Sequence, residues 1–360
     1  MFRKVLGIVV IVLAWLVVIA YIVYASRIAK MERAEQIVEE VVVNIVDSTA
    51  MCHFTTSADV RRKLQHAGFA FEKKKVESID VVSAVKLLNQ SGYIDKASIY
   101  VTSSGRLVVN IDQHEPFVRF LTKGYNSYIT SDGHTFRSPE GSSYYAAVIT
   151  GSFRPLFAPN FEGDIESHYG KLVEEQRAKS KEMLSEIRNI RQRERRCIDR
   201  RAKLRKSRRK GFFESKKRHE QRLIGVESEI LACENERQQL RAQRRVLENR
   251  QPGVVAVEQR IAKQYREFRS LLNFVEEMES DNFWGAEIVQ YVADTTSQGD
   301  IRLRLIPRSG DFTIEFGTLA MASTKMEKLR KFYDDGLSHM GWERFSKIDV
   351  RYNNQIICTE

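Results

Sequence analysis

The chain has little that would support chemistry. Its 360 residues include only four cysteines, Cys52, Cys197, Cys233 and Cys358, too few for a disulfide scaffold, and three pairings are possible with nothing in the spacing to choose among them. Seven histidines lie dispersed, with no HExxH pair and no His-Cys metal spacing, and there is no GxSxG elbow and no glycine-rich phosphate loop. Asp112, His114 and Glu115 fall close together at a strand end. Asp112 and His114 share a face only if the strand runs on through Pro116, so a turn between domains is the better reading than a catalytic or metal site. No enzyme, metal or cofactor is expected.

Long apolar runs are also scarce, with one exception. Val5 to Ser26 is an uncharged stretch of 22 residues, which at ~1.5 Å per helical residue is about 33 Å long and enough to cross a bilayer core. It is longer than the apolar region of a cleaved signal and ends in Tyr21-Ile22-Val23-Tyr24 where small residues would be needed, so a retained anchor is expected. Tyr21 and Tyr24 sit where an interfacial aromatic belt would lie. Arg3 and Lys4 precede the run while Arg27, Lys30 and Arg33 follow it, so the charge balance does not set the orientation.

Acidic residues are short by eleven across the whole chain, a net charge of +11. The imbalance is local: Lys171 to Arg250 carries 26 basic and 13 acidic residues, which leaves 32 basic and 34 acidic residues elsewhere. That segment has no glycine from Lys171 to Lys210 and no proline before Pro252. Leu223, Val226, Ile230, Cys233, Leu240 and Leu247 follow a 3-4 spacing with Arg237 and Arg244 in the two remaining seam positions, a coiled-coil pattern. On the first arm Leu184, Ile187, Ile190, Ile198 and Ala202 continue it less strictly, and Gly211 between the arms favours a helical hairpin over one long rod. The densest cations, Arg195, Arg196, Arg200, Arg201, Lys206, Arg208, Arg209 and Lys210, read either as a solvated helical face or as an anion-binding patch for lipid headgroups or envelope polymer. Nucleic acid is disfavoured, because no nucleic-acid motif accompanies the charge and only Phe212 and Phe213 could stack on bases.

Between the apolar run and the basic segment the pattern is strand, helix, helix, strand, strand. Val41–Val46 is the first strand, Thr56 or Ser57 caps a helix to His66, Asp80 caps a second helix to Asn89, and two strands, Ile94–Thr102 and Arg106–Asp112, flank Ser103-Ser104-Gly105. Antiparallel strands follow over Phe117–Leu121, Ser127–Ser131 and Tyr145–Thr150, and again after the basic segment over Ala286–Asp294, Ile301–Pro307 and Phe312–Phe316. A helix over Ser323–Met340 then leads to a last strand, Ile348–Cys358, whose alternation places Ile348, Val350, Tyr352, Ile356 and Cys358 on one face. The fold class is α+β, with the basic hairpin inserted within the sheet domain. A terminal strand is often an edge that can accept a partner's strand.

These residues resemble a known family, the bacterial cell-division protein FtsQ, also called DivIB. The likeness is carried by Gly92-Tyr93-Ile94-Asp95-Lys96-Ala97-Ser98-Ile99-Tyr100, by Gly105 to Ile111, and by Gln113-His114-Glu115-Pro116-Phe117-Val118-Arg119. Asp281 to Ile288, Leu305 to Asp311, Phe332 to Leu337 and Gly341-Trp342 make it most similar to the Bacteroidetes branch. The order and spacing of these stretches together carry the resemblance.

The resemblance implies a cytoplasmic tail over residues 1–4, a membrane span over 5–26, a linker over 27–38, a POTRA domain over 39–114, and a β domain over 115–161 and 263–360 interrupted by the basic insertion at 162–262. It implies a non-enzymatic divisome scaffold of the bacterial inner membrane, single-pass, with its folded part in the periplasm and enriched at the septum. The implied partners are FtsB-like and FtsL-like single-span division proteins, bound by strand addition at Tyr352 with Arg351, Asn353, Gln355 and Ile356 beside it. The alternative is an envelope biogenesis or secretion factor, since POTRA domains also serve those systems. One unit without a barrel pattern places that reading second.

Overall fold

The computed structural model describes residues 15–27, 36–46, 54–139, 141, 144–337, 339 and 341–360. They fall in two compact units, Met1–Thr150 with Pro159–Gly163, and Gly151–Ala158 with Asp164–Glu360. Residues 5–14 of the apolar run lie outside the described residues, as does Cys52. Residues 15–27 are helical, and no helix among the described residues is long and apolar enough to cross a membrane.

In the first unit, strand β1 (Glu40–Val46) runs parallel to β3 (Arg106–Gln113), which pairs antiparallel with β2 (Ile94–Val101), giving the order β1-β3-β2. The parallel pair requires a long crossover, and α1 (Ser57–His66) and α2 (Val81–Asn89) supply it. Thr56 starts α1 with a reciprocal box: its hydroxyl accepts the Asp59 N–H while the Asp59 carboxylate accepts the Thr56 N–H, each at 3.2 Å. Asp80 does the same work for α2, accepting the Ser83 N–H at 2.9 Å. Both helices lie on one face of the sheet, where Val60, Leu64, Ala84 and Leu88 close a core with Val41, Leu107, Val109 and Ile111.

Four further strands lie in this unit: β4 (Pro116–Thr122), β5 (Tyr125–Thr130), β6 (His134–Arg137) and β7 (Ala147–Thr150). β4-β5-β6 form an antiparallel meander, but β7 lies parallel to β4. The expectation of an all-antiparallel β domain is therefore corrected here. β4 and β6 run the same way, so β7 can enter parallel to β4 only by a connection that returns to the starting end of the sheet. Buried Tyr128 and Phe136 pack with Phe54 in an aromatic cluster, and the Tyr128 hydroxyl accepts the Tyr144 N–H at 2.8 Å.

The second unit is built on two long helices, α3 (Ile165–Lys206) and α4 (Lys216–Ser280). The strands β8 (Ile288–Thr295), β9 (Ile301–Pro307) and β10 (Thr313–Gly317) are antiparallel neighbours, whereas β11 (Lys347–Asp349) is parallel to β10 and β12 (Ile357–Thr359) antiparallel to β11. The parallel β10–β11 step follows from helix α5 (Ala322–Lys331), which with the wider turn at Phe332–Leu337 forms the crossover between them. That helix is shorter than the expected Ser323–Met340.

α4 does not stop at residue 262. Its final turns are the apolar helix of this unit, with Phe268, Leu271 and Val275 at 0 % exposure and Phe274 in ring contact with Phe316 at 5.0 Å and Tyr291 at 6.4 Å. The base of α3 is equally tied in, since the buried Tyr169 ring packs on Tyr265 at 5.1 Å and its hydroxyl accepts the Leu156 N–H. Gly151 makes the close approach of this segment to β8 possible: φ is +110° and a Cβ would meet the Ala293 carbonyl oxygen at 2.1 Å.

Beyond that base the two helices form a hairpin with an antiparallel seam. On α4 the expected positions are occupied as read, with Ile230, Cys233 and Leu240 buried. The first-arm reading is corrected: Leu184 and Ile198 are exposed, and the buried or half-buried set Ile187, Ile190, Glu194, Cys197, Arg201 and Leu204 keeps the 3-4 spacing instead. Two of those positions are charged, which is why hydrophobicity alone selected the wrong stripe.

Candidate functional site

The feature with unused bonding capacity is the outer edge of the second unit's sheet. β12 pairs with β11 in the register Lys347↔Thr359, Ile348↔Cys358 and Asp349↔Ile357, and among the described residues no strand pairs with its other side. The Thr359 carbonyl accepts the Ser346 N–H at 2.9 Å and so faces inward. Alternation then directs the Cys358 N–H and carbonyl outward.

The expectation of one continuous strand from Ile348 to Cys358 is corrected. Ile348 and Val350 are fully buried as its alternation implied, but the chain then leaves the ladder and turns back through residues 351–356, so that β11 and β12 form a hairpin. Asn354 takes φ +56°, a left-handed conformation that asparagine tolerates and that ends a strand. Arg351, Tyr352, Asn353, Gln355 and Ile356 thus lie on the connecting loop rather than in a ladder. Tyr352 is 46 % exposed, Asn353 and Gln355 are exposed, and Ile356 is half-buried.

Arg351 is spoken for within the fold. Its guanidinium Nε contacts both oxygens of the buried Asp349 at 2.9 and 3.1 Å. Burial pushes the Asp349 carboxyl up, but the Arg351 hydrogen bonds outweigh it and hold the pKa below the usual carboxylate range. Gly317 leaves room for this pair: it has φ +79°, and a Cβ would sit 2.8 Å from the Arg351 Cγ.

The loop is held from above by a residue that sequence reading missed. Lys328 of α5 donates to the carbonyls of Val350 at 2.9 Å, Gln355 at 3.1 Å and Tyr352. Desolvation lowers its pKa, with Asp349 acting in the opposite direction. A lysine in the last turn of a helix reads from sequence as an ordinary dipole-compensating charge, and only the crossover that brings α5 over the loop reveals the clamp.

The second group of expected residues, on the hairpin, divides in two. Arg200, Arg201 and Arg208 are paired with Glu229, Glu234 and Glu227 at 3.4, 3.0 and 2.8 Å. Arg195, Arg196, Lys206, Arg209 and Lys210 make no salt bridge among the described residues and are exposed. Cys197 and Cys233 are both buried in the seam as free thiols, and burial pushes the Cys197 thiol up.

Among the described residues the histidines form no metal centre. His114 stacks on His134 with ring centroids 4.1 Å apart, Asp95 stands 4.0 Å from it, and no group of three or more metal-ligating side chains occurs among the described residues. His134 Nε2 lies 3.1 Å from the Gly92 carbonyl, so this pair belongs to packing within the first unit.

Residues 36–112 match the model of a POTRA-like domain, and residues 243–359 match the model described as FtsQ/DivIB, C-terminal related. The two matches support an FtsQ/DivIB-type protein. The second match begins on α4 and ends in β12, so it embraces the helix, the crossover and the edge together. No curated protein matches the chain. This likeness points to a role in cell division, associated with the membrane at the septum, and the FtsQ/DivIB family is generally non-enzymatic.

Proposed function

We propose that this protein is a non-enzymatic divisome scaffold whose β11–β12 hairpin receives a strand from an FtsB-like or FtsL-like single-span division protein, at the periplasmic face of the bacterial inner membrane. The observation that carries the reading is the free outer side of β12, a three-residue strand with outward backbone groups at Cys358 and an exposed tyrosine on the adjoining loop. Strand addition would satisfy those groups and extend the sheet. The apolar run at 5–26 supplies the anchor and the POTRA-like domain a second contact surface for other division proteins. The predicted contact residues change their roles: Tyr352, Asn353 and Ile356 face the partner, while Arg351 and Gln355 shape the loop through Asp349 and Lys328.

The test is photocrosslinking in living cells from a reactive amino acid at position 352, with the captured protein identified by mass spectrometry. Capture of an FtsB-like single-span protein supports the scaffold, and capture of an outer-membrane assembly component instead would overturn it. In parallel, Tyr352→Lys should lower partner affinity by more than the ~0.5 kcal/mol typical of neutral surface changes.

A further inference from the structure

Between Lys203 and Arg218 nine basic side chains accompany a single acid, Glu214. That acid is used up inside the turn joining α3 to α4. Its oxygens accept from Arg222 Nε and Nη2 at 2.8 Å each and from the Gly211 N–H at 3.0 Å, and its pKa is pulled down to about 2, chiefly by Arg222. Arg222 also donates to the carbonyls of Ser207 and Arg209, so one guanidinium closes the turn across both arms. The turn is therefore built rather than frayed.

What this built turn does with its two apolar residues is unusual. Phe212 and Phe213 are each 97 % exposed and touch one another, edge to face with centroids 5.1 Å apart, instead of folding back onto either helix. On both sides of them stand Arg209, Lys210, Lys216, Lys217 and Arg218, which make no salt bridge among the described residues. The residues of α3 from Lys171 to Lys206 carry this tip about 54 Å beyond the base of the hairpin.

We infer that the tip docks on an anionic lipid bilayer, with Phe212 and Phe213 entering the interfacial region and the cationic collar holding headgroup phosphates. Aromatic residues flanked by lysine and arginine match both the apolar and the charged layer of such a surface, and each ring can withdraw about 150–250 Å² from water there. A soluble polyanion would engage the collar but leave both rings in water. A nucleic-acid strand would need parallel stacking platforms, and the two rings are inclined at 82°. The tip chemistry does not depend on what the β12 edge binds, so either can fail alone.

The experiment uses the full chain in neutral-lipid nanodiscs, immobilised, with free vesicles of phosphatidylcholine or of phosphatidylglycerol-rich mixture passed over it. Capture should require phosphatidylglycerol. It should fall at least about tenfold for the double variant F212S/F213S, and by about fivefold for each charge lost in K216Q and K217Q. Far-UV circular dichroism should show unchanged helicity, since both rings stand almost wholly in solvent. Undiminished capture by F212S/F213S would overturn the inference, as would equal capture of phosphatidylcholine vesicles, or binding of a single-stranded oligonucleotide without capture of vesicles.

Discussion

Two residues in this chain do work that their type alone does not announce. Lys328 ties three carbonyls of the 350–355 loop to α5, and each contact is a charge-assisted bond to a group that has no ladder partner. Lys328→Met keeps the stem but removes the donors. We expect a loss of about 1–2 kcal/mol in stability, faster amide exchange at residues 350–356, and weaker partner binding even though Lys328 itself is set back from the edge; unchanged exchange in that loop would show that it holds itself. His114 acts in the opposite sense, as a group the fold keeps neutral. Burial and the neighbouring His134 lower its pKa from the ordinary 6.5, with Asp95 and Asp132 pulling weakly the other way. Because the folded pKa is the lower one, its contribution is complete above pH 6.5 and is lost as pH falls through the folded value. Thermal melts should therefore show the first unit weakening as the pH falls below about 6.5, and His114→Phe should flatten that part of the profile. Neither role was legible in sequence, because each depends on contacts made from a distant element.

At the scale of elements, the hairpin carries its own register device. Glu194 occupies a seam position where an apolar residue would be ordinary, and it meets Arg244 from the facing arm at 3.1 Å and Arg241 at 3.8 Å. Arg244 in turn bonds Glu248, which also takes Arg191 at 2.8 Å, and those two arginines hold the Glu248 carboxyl below its usual range. A polar layer of this kind specifies which turns face each other, at a cost in stability relative to apolar packing. Glu194→Ala should destabilise the hairpin by about 1–2 kcal/mol, less than for a fully buried pair because Arg244 retains some solvent. The double variant Glu194→Leu with Arg244→Leu should melt at or above the parent temperature yet allow slipped pairings, seen as new spacings in cysteine or spin-label distances. A double variant as unstable as the single one would mean that the charges, not their geometry, hold the arms together. The 3-4 pattern of α4 was readable from sequence, while that of α3 was not, since two of its seam positions are Glu194 and Arg201.

For the whole molecule, the boundary between projection and body matters most. Deleting Lys171–Arg250 and closing the gap with a short flexible linker should leave a soluble second unit that melts cooperatively, because Tyr169 and the buried face of α4 from Ile261 to Met278 remain. Extending the deletion through Met278 removes five side chains of at most 4 % exposure, Phe268, Leu271, Leu272, Phe274 and Val275. At about 1.5–3 kcal/mol each, that is comparable with a domain's whole net stability, so the product should be insoluble or unfolded by circular dichroism. If the shorter deletion also fails to fold, the hairpin is part of the unit's core rather than a projection from it. The division of labour between sequence and tertiary structure follows the range of the forces involved. Sequence alone determined the capped helices of the POTRA-like domain, the strand Ile301–Pro307, the basic hairpin and the likeness to FtsQ, because caps, periodicity and charge density are set by neighbours along the chain. Tertiary structure alone decided that Ile348–Cys358 breaks into a hairpin, that α4 runs on into the core, and that Lys328 and Glu194 have partners. A short apolar run can pair with either of two neighbours, and a charged side chain can meet water or an opposite charge. Only the packed arrangement of elements supplies the neighbour that settles each case.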